Sequence, residues 1–230
     1  MNDKIHAPMA HLRRNQLINR LSDAHLVKLG RRYARGRLVD VGCGEKQYEA
    51  LFKPFVTEHI GVDHPDTLHG KSKVDITATG YEIPVNDCEF DTVLHTSVLE
   101  HMEDPERALR ECARVLKPGG NIIFLIPFIW HVHEAPRDFY RYTPLGIRYL
   151  LEKTGFSVRE LSPVCGFWGT FGQMLTYKLY KYPILRNVPS LTDRLGLLVQ
   201  LSAYLVDKID FDDDWPAVYA GAAERVAATL

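Results

Sequence analysis

Residues 37–44 read Arg-Leu-Val-Asp-Val-Gly-Cys-Gly: a short β-branched run that stops at two glycines. A helical stretch is predicted directly after it, over 45–53, ended by Pro54. A strand that passes through a glycine turn into a helix is half of a crossover unit. Its helix must return the chain to a parallel neighbour. The same alternation continues downstream. Strands are predicted at 59–63, 74–76, 90–95, 121–127 and around 157–164, with a last one over 217–223. The 121–127 run is apolar almost throughout, as befits a strand covered on both faces.

Helices fall between these strands. One is predicted over 105–117, with Asp104 as N-cap, Pro105 in the first turn and Pro118-Gly119-Gly120 as its stop. Ala108, Leu109, Cys112 and Leu116 form its apolar stripe. Another starts at Thr143-Pro144 and ends at Gly155, with Leu145, Ile147, Leu150 and Leu151 directed inward. The expected class is therefore α/β, a doubly wound, mostly parallel seven-stranded sheet. Ligands bind such sheets at the carboxyl ends of the strands, where the strand order reverses. The ends of the first and fourth strands are thus the places to look.

Two segments lie outside the alternation. Residues 9–35 show helical spacing at Leu12, Leu17, Ile18 and Leu21 and again at Leu26, Leu29 and Tyr33, with Gly36 as a stop. Residues 1–36 are read as an N-terminal helical cap, and 37–230 as the main domain. Within it, residues of about 167–214, rich in Tyr, Leu and Phe, are read as a late helical insertion. Composition adds mostly exclusions. The net charge of −1 offers no broad basic excess for a polyanion, so no nucleic-acid partner is expected. The four cysteines are scattered and form no C-x-x-C pair, which disfavours a zinc site or a disulfide framework and suits a reducing cytoplasm. Residues 1–20 lack the apolar core of a secretory signal, and the apolar run at 195–206 is too short to span a bilayer.

The candidate ligand site builds from the glycines outward. Gly42 and Gly44 permit a sharp turn and close backbone approach. Asp63, ending the second strand about 20 residues on, stands where an acidic side chain grips ribose hydroxyls. A dinucleotide fingerprint needs a third glycine at position 47, and this chain has Gln47 there, which disfavours a nicotinamide cofactor. Asp40 would repel a pyrophosphate and suits a cationic group. The pattern fits a nucleoside with a cationic tail.

Further motifs follow in order. They are Phe90-Asp91-Thr92-Val93, Val98-Leu99-Glu100-His101, Asp104-Pro105 and Arg114-Val115-Leu116-Lys117-Pro118-Gly119-Gly120. Together with residues 38–44 they resemble the class I S-adenosylmethionine (SAM)-dependent methyltransferases, in the type 11 subgroup around the ubiquinone/menaquinone-biosynthesis enzymes. The resemblance covers roughly residues 37 to 127. It implies SAM as cofactor and a role for each matching residue. Gly42 and Gly44 pass the methionine half, whose ammonium Asp40 serves. Asp63 holds the ribose, and Asp75 and Ile76 flank the adenine. His95 and Thr96 line the sulfonium side, and Cys43 and His64 complete the set. Lys46 replaces a small residue and is expected to point to solvent. Some quinone-pathway relatives add a Glu three residues before the Glu-His pair. Here that residue is Ser97, so no metal is expected, and Glu100 and His101 are read as bonding to neighbouring loops.

Residues 130–143 follow the fifth strand and are dense in proton-transfer groups. His133 is the first candidate base for an acceptor hydroxyl, with His131 and His101 behind it. The competing reading is a structural histidine bonded to Asp138 or to a backbone carbonyl. Arg137, Asp138 and Arg141 are read as a possible ion-pair network, and Thr143 as a helix N-cap. Phe167, Trp168, Phe171, Tyr177, Tyr180 and Tyr182 form either a lid over an apolar acceptor or ordinary helix packing or a dimer face. Asp212-Asp213-Asp214 is read as a solvated turn. The expected activity is methyl transfer to a small-molecule acceptor, an oxygen of a sugar or natural-product intermediate. Two alternatives stand beside it: a lipid or quinone acceptor at a membrane surface, and a non-catalytic SAM-binding partner subunit.

Overall fold

The computed structural model describes residues 14–226. The described residues separate into two compact units: 14–24 with 163–218, and 25–162 with 219–226. This division differs from the expected cap and insertion. The long first helix, α1 (Gln16–Tyr33), belongs by its first half to one unit and by its second half to the other. The predicted residues 9–13 of that helix lie outside the described residues.

The larger unit holds the sheet. Its strands are β1 (Arg37–Val41), β2 (Glu58–Asp63), β3 (Ile76–Thr77), β4 (Phe90–Thr96), β5 (Leu116–Pro127), β6 (Phe156–Pro163) and β7 (Val218–Arg225). They lie in the order β3-β2-β1-β4-β5-β7-β6. β1 pairs in parallel with β2 and with β4, β2 with β3, and β4 with β5. The order therefore reverses between β1 and β4, as the alternation implied. β1, β4 and β5 are buried along most of their length, and Val39, Val93, Ile122 and Phe124 pack into one core with Leu109, Cys112 and Leu151.

Local chemistry explains the elements. Helix α3 (Pro105–Val115) starts at Asp104, whose carboxylate accepts the Arg107 N–H at 3.0 Å. Helix α4 (Pro144–Lys153) starts at Thr143, whose hydroxyl accepts the Gly146 N–H at 3.0 Å. Both caps match expectation. Two boundaries do not. The helix predicted over 45–53 contracts to α2 (Glu49–Phe52), because tight turns occupy residues 42–48. The predicted helix stop Pro118-Gly119-Gly120 is part of β5, where the pairing with β4 shifts register between Phe90 and Thr92. Gly119 takes φ +77° there, so the glycines carry an irregularity within a strand, and the helix has already ended at Val115.

The smaller unit is helical: α5 (Phe167–Lys181), α6 (Pro183–Arg186) and α7 (Pro189–Asp207). α5 and α7 approach closely at Gly172, where an added Cβ would come 2.4 Å from the Ala203 Cβ. Polar groups tie both helices to the start of α1 and the residues before it. Gln173 Nε2 donates to the Arg14 carbonyl at 3.0 Å, and Gln200 Oε1 accepts the Leu17 N–H at 2.8 Å. The aromatic residues of the expected lid make contacts within this unit. Phe167 stacks on Phe171, the Trp168 indole N–H reaches Asp210 and the Tyr180 hydroxyl reaches Asp193. Among the described residues, no helix is long and apolar enough to cross a membrane.

Candidate active site

The carboxyl ends of β1, β2 and β4 enclose a cavity of about 480 Å³, in the range of small-molecule sites. Gly42 opens it. Its φ of +73° is left-handed, and a Cβ would lie 2.3 Å from Val98 Cγ2, so only glycine fits. The N–H groups of Gly42 and Cys43 both reach the Val62 carbonyl, at 2.8 and 3.1 Å.

Asp63 fixes this turn from the next strand. One carboxylate oxygen accepts the Gly44 N–H at 2.6 Å and the other accepts the His64 N–H at 2.6 Å. Charge-assisted bonds of this length are strong and directional. Each oxygen retains acceptor capacity toward the cavity, which Asp63 and His64 both line.

The other expected cofactor residues divide. Gly44 and Cys43 shape the turn without lining the cavity, and burial pushes the Cys43 thiol up to about 12. Asp40 does not face the cavity. It is buried, its carboxylate 3.0 Å from His59 Nε2, and burial raises its carboxyl above the usual range. Asp75 is also turned aside. Burial raises its carboxyl, but the Gly61 N–H (2.6 Å) and the Lys46 ammonium (2.5 Å) outweigh it, and the net shift is downward. Lys46 is therefore not directed to solvent. It is buried, with its ammonium also on the His59 carbonyl at 2.9 Å. Ile76, His95 and Thr96 do not line the cavity either. The wall expected from Asp75 and Ile76 is formed by Ala78, Thr79, Gly80 and Tyr81. Gly80, just past β3, was the available signal for this wall.

His95 is fully buried in β4, with no partner for Nε2 among the described residues. Burial pushes it down to about 4. Its neutral form is the folded form, so protonation favours unfolding. The stability it contributes is present above pH 6.5 and is lost as pH falls toward 4, roughly 3 kcal/mol in all. Between pH 7 and 4 the wild type should lose about that much more stability than His95→Gln in urea denaturation. Equal losses would refute the assignment.

The opposite wall comes from the 3₁₀ turn Leu99–His101 and from residues 134–139. His101 lines the cavity, and its Nδ1 lies 2.5 Å from the Arg137 carbonyl. A carbonyl only accepts, so Nδ1 carries a hydrogen, and in the neutral ring Nε2 is the acceptor nitrogen. His101 Nε2 lies 3.8 Å from Glu100 Oε1 and 3.8 Å from Glu134 Oε2. Glu100 is fully buried, and neither of its oxygens has a hydrogen-bond partner among the described residues. Burial pushes its carboxyl up to about 8. The expected loop bonds of this turn are made by its backbone, since the Glu100 carbonyl accepts the Phe139 and Tyr140 N–H groups.

His133 joins the cluster from the loop. Its ring meets that of His101 edge-on, with centroids 4.7 Å apart. Its N–H donates to Asp138 Oδ2 at 2.8 Å, so the structural bond to Asp138 exists alongside its place beside His101. Arg141 clamps Asp138 through both terminal nitrogens, at 2.6 and 2.9 Å, and holds its carboxyl well below the usual carboxylate range. Arg137 stands outside that clamp and lines the cavity. Burial, then His101, lower the His133 pKa. His131 is exposed and does not line the cavity. Glu134 and His69 are cavity residues that sequence reasoning missed. They pair at 3.4 Å across two loops whose proximity no motif announces. Asp212, Asp213 and Asp214 are exposed, as read.

Residues 39–124 match the family model described as a methyltransferase domain. A probable S-adenosylmethionine-dependent methyltransferase of Mycolicibacterium smegmatis is 31% identical over 147 residues, 61% of this chain and 55% of that protein. A ubiquinone biosynthesis O-methyltransferase of Dechloromonas aromatica is 26% identical over 50% of this chain and 52% of its own. The chain thus spans about half the length of these curated relatives. Among solved structures, a SAM-dependent methyltransferase from Archaeoglobus fulgidus superposes with a TM-score of 0.58 at 18% identity, over 94% of this chain and 99% of that one. That likeness concerns the fold.

Proposed function

We propose that this chain, whose residues 39–124 match a methyltransferase domain, is a class I SAM-dependent methyltransferase that transfers a methyl group from SAM to an oxygen of a small-molecule acceptor, of the sugar or natural-product kind. One observation carries the reading. A single cavity at the switch point between β1 and β4 is lined by the Asp63 carboxylate on one side and the His101 imidazole on the other. Bound there, SAM would supply a methyl group on a sulfonium, open to in-line displacement.

The residues present fit such a group. The Gly42 turn admits close backbone approach, and Asp63 has acceptor capacity left for ribose hydroxyls. Residues 78–81 offer a mixed apolar and polar wall for a flat base. His101 marks the acceptor side. Burial keeps His133 in its neutral, proton-accepting form, and the Asp138–Arg141 clamp fixes the backbone that carries it. His133, which does not itself line the cavity, is the first candidate to take the proton of an acceptor hydroxyl, with the cavity-lining His101 behind it.

The test combines calorimetry with S-adenosylhomocysteine and methyl-labelled SAM incubated with a panel of hydroxyl acceptors and their O-blocked counterparts. Expected results are saturable binding and label in the hydroxyl acceptors only. Binding with no transfer to any acceptor would overturn the reading in favour of a non-catalytic SAM-binding subunit. Transfer confined to vesicle-borne acceptors would move it to the lipid or quinone alternative.

A further inference from the structure

The side chains around Glu100 form an arrangement that methyl transfer by itself does not require. Glu100, His101 and His133 each present a donor atom, and these atoms all lie within 4.8 Å of one another. Glu134 Oε2 stands 3.8 Å from His101 Nε2 on the remaining side. We propose that Glu100, His101 and His133, with Glu134 as a fourth donor, constitute a site for a divalent first-row cation beside the cavity.

Three independent features support it. The first is the buried carboxylate. Both oxygens of Glu100 are enclosed and without hydrogen-bond partners among the described residues, a costly condition that a cation relieves.

The second is the direction of the imidazoles. The Arg137 carbonyl takes the Nδ1 hydrogen of His101, so in the neutral ring Nε2 offers its lone pair on the side of Glu100 and Glu134. Donor atoms grouped at 3.8 Å call for a positive centre between them, which a bound cation or a proton on Nε2 supplies. His133 is oriented the same way. Its Nδ1 lies 3.2 Å from the His131 carbonyl and 3.5 Å from Asp138 Oδ2, and the Arg141 guanidinium at 3.4 Å is itself bound to Asp138. A carbonyl on one imidazole and a clamped carboxylate on the other are the outer contacts that fix metal-binding histidines.

The third is reach. Ligands at about 2.1 Å around a tetrahedral ion stand about 3.4 Å apart, so the cluster must tighten by about 1 Å. His133 and Glu134 lie on a loop whose side chains can rotate that far.

Two imidazoles with one or two carboxylates select manganese, iron, cobalt or zinc over magnesium or calcium. An acceptor hydroxyl bound to such an ion would ionise near neutral pH, releasing its proton to solvent. His133 would then hold the ion in place of receiving the proton. This use rests on the proposed methyl transfer; the existence of the site does not. The sequence alone gave no reason to expect it, because Ser97 lacks a donor where a further carboxylate was sought. The fold brings Glu134 to the cluster from another loop.

The test is a titration of the chelator-treated full chain with Co²⁺ alone, followed by its visible absorption, and with Zn²⁺ by calorimetry, without cofactor or acceptor. The expected result is one equivalent per chain. Glu100→Gln and His101→Ala should each weaken binding by at least about 10-fold, with the circular dichroism spectrum and thermal melt retained as evidence of folding. Absence of saturable binding to the wild type, or unchanged binding in a His101→Ala/His133→Ala double variant, overturns the site. Metal binding without methyl transfer supports the site while refuting the proposed function. Transfer without metal binding refutes the site and returns His133 to the role of base.

Discussion

Asp63→Ala should weaken S-adenosylhomocysteine binding by about two to four orders of magnitude in calorimetry. Two 2.6 Å bonds end on this carboxylate, from Gly44 and His64. Those bonds brace the turn, whereas affinity falls through the two ribose-hydroxyl contacts proposed for the carboxylate, at roughly 1.5–3 kcal/mol for each charge-assisted bond or about 3–6 kcal/mol together. The damage is twofold. The variant lacks the acceptor proposed for the ribose, and it leaves two buried N–H groups unpaired in the turn that must approach the ligand. Circular dichroism and a thermal melt separate loss of the site from loss of the fold. A folded variant of unaltered affinity would contradict both the ribose assignment and the bracing of the turn.

His133→Ala should reduce turnover by about 10²- to 10⁴-fold while S-adenosylhomocysteine affinity stays within about 2-fold. His133 does not line the cavity, whereas its ring packs edge-on against His101, which does. The loss should therefore fall on kcat. A merely structural role would instead disturb KM, because Asp138 and the loop would shift together. The Asp138 bond runs to the His133 backbone N–H, which alanine keeps. The loop should consequently hold its course in the variant. Imidazole added to the buffer should restore part of the rate. Unchanged turnover would remove His133 from the chemistry, whether as base or as ligand.

Much of this architecture was legible because its signals are local. The β-branched runs ending in Gly42 and Asp63, the Asp104-Pro105 and Thr143-Pro144 helix starts and the crossover pattern each depend on a few neighbouring residues. The strand order follows from them, since parallel crossovers leave few topologies. The errors arose where contacts over distance decide. Lys46 reads as a surface residue until β2 brings the His59 carbonyl and Asp75 within its reach. Asp40 and Asp75 have the residue type a cationic ligand or an adenine wants, yet each is already engaged with an internal partner. Pro118-Gly119-Gly120 has the composition of a helix stop, but pairing with β4 continues through it. The Glu134–His69 pair joins positions 65 residues apart, which no spacing rule connects.

The 128–143 loop has a bearing on how such a protein diversifies. Beside the Asp138–Arg141 clamp it is anchored through its main chain: Phe139 and Tyr140 donate backbone N–H groups to the Glu100 carbonyl, and Tyr142 donates to that of Pro127. Anchors of this kind are indifferent to side-chain identity. Positions such as Val132, Ala135 and Phe139 can therefore change without unfastening the loop. The Gly42–Asp63 cradle has no such latitude, since a left-handed backbone and a particular carboxylate are built into it. Descent with modification would then run at two rates within one cavity, slow at the Gly42–Asp63 turn and fast along the 128–143 loop.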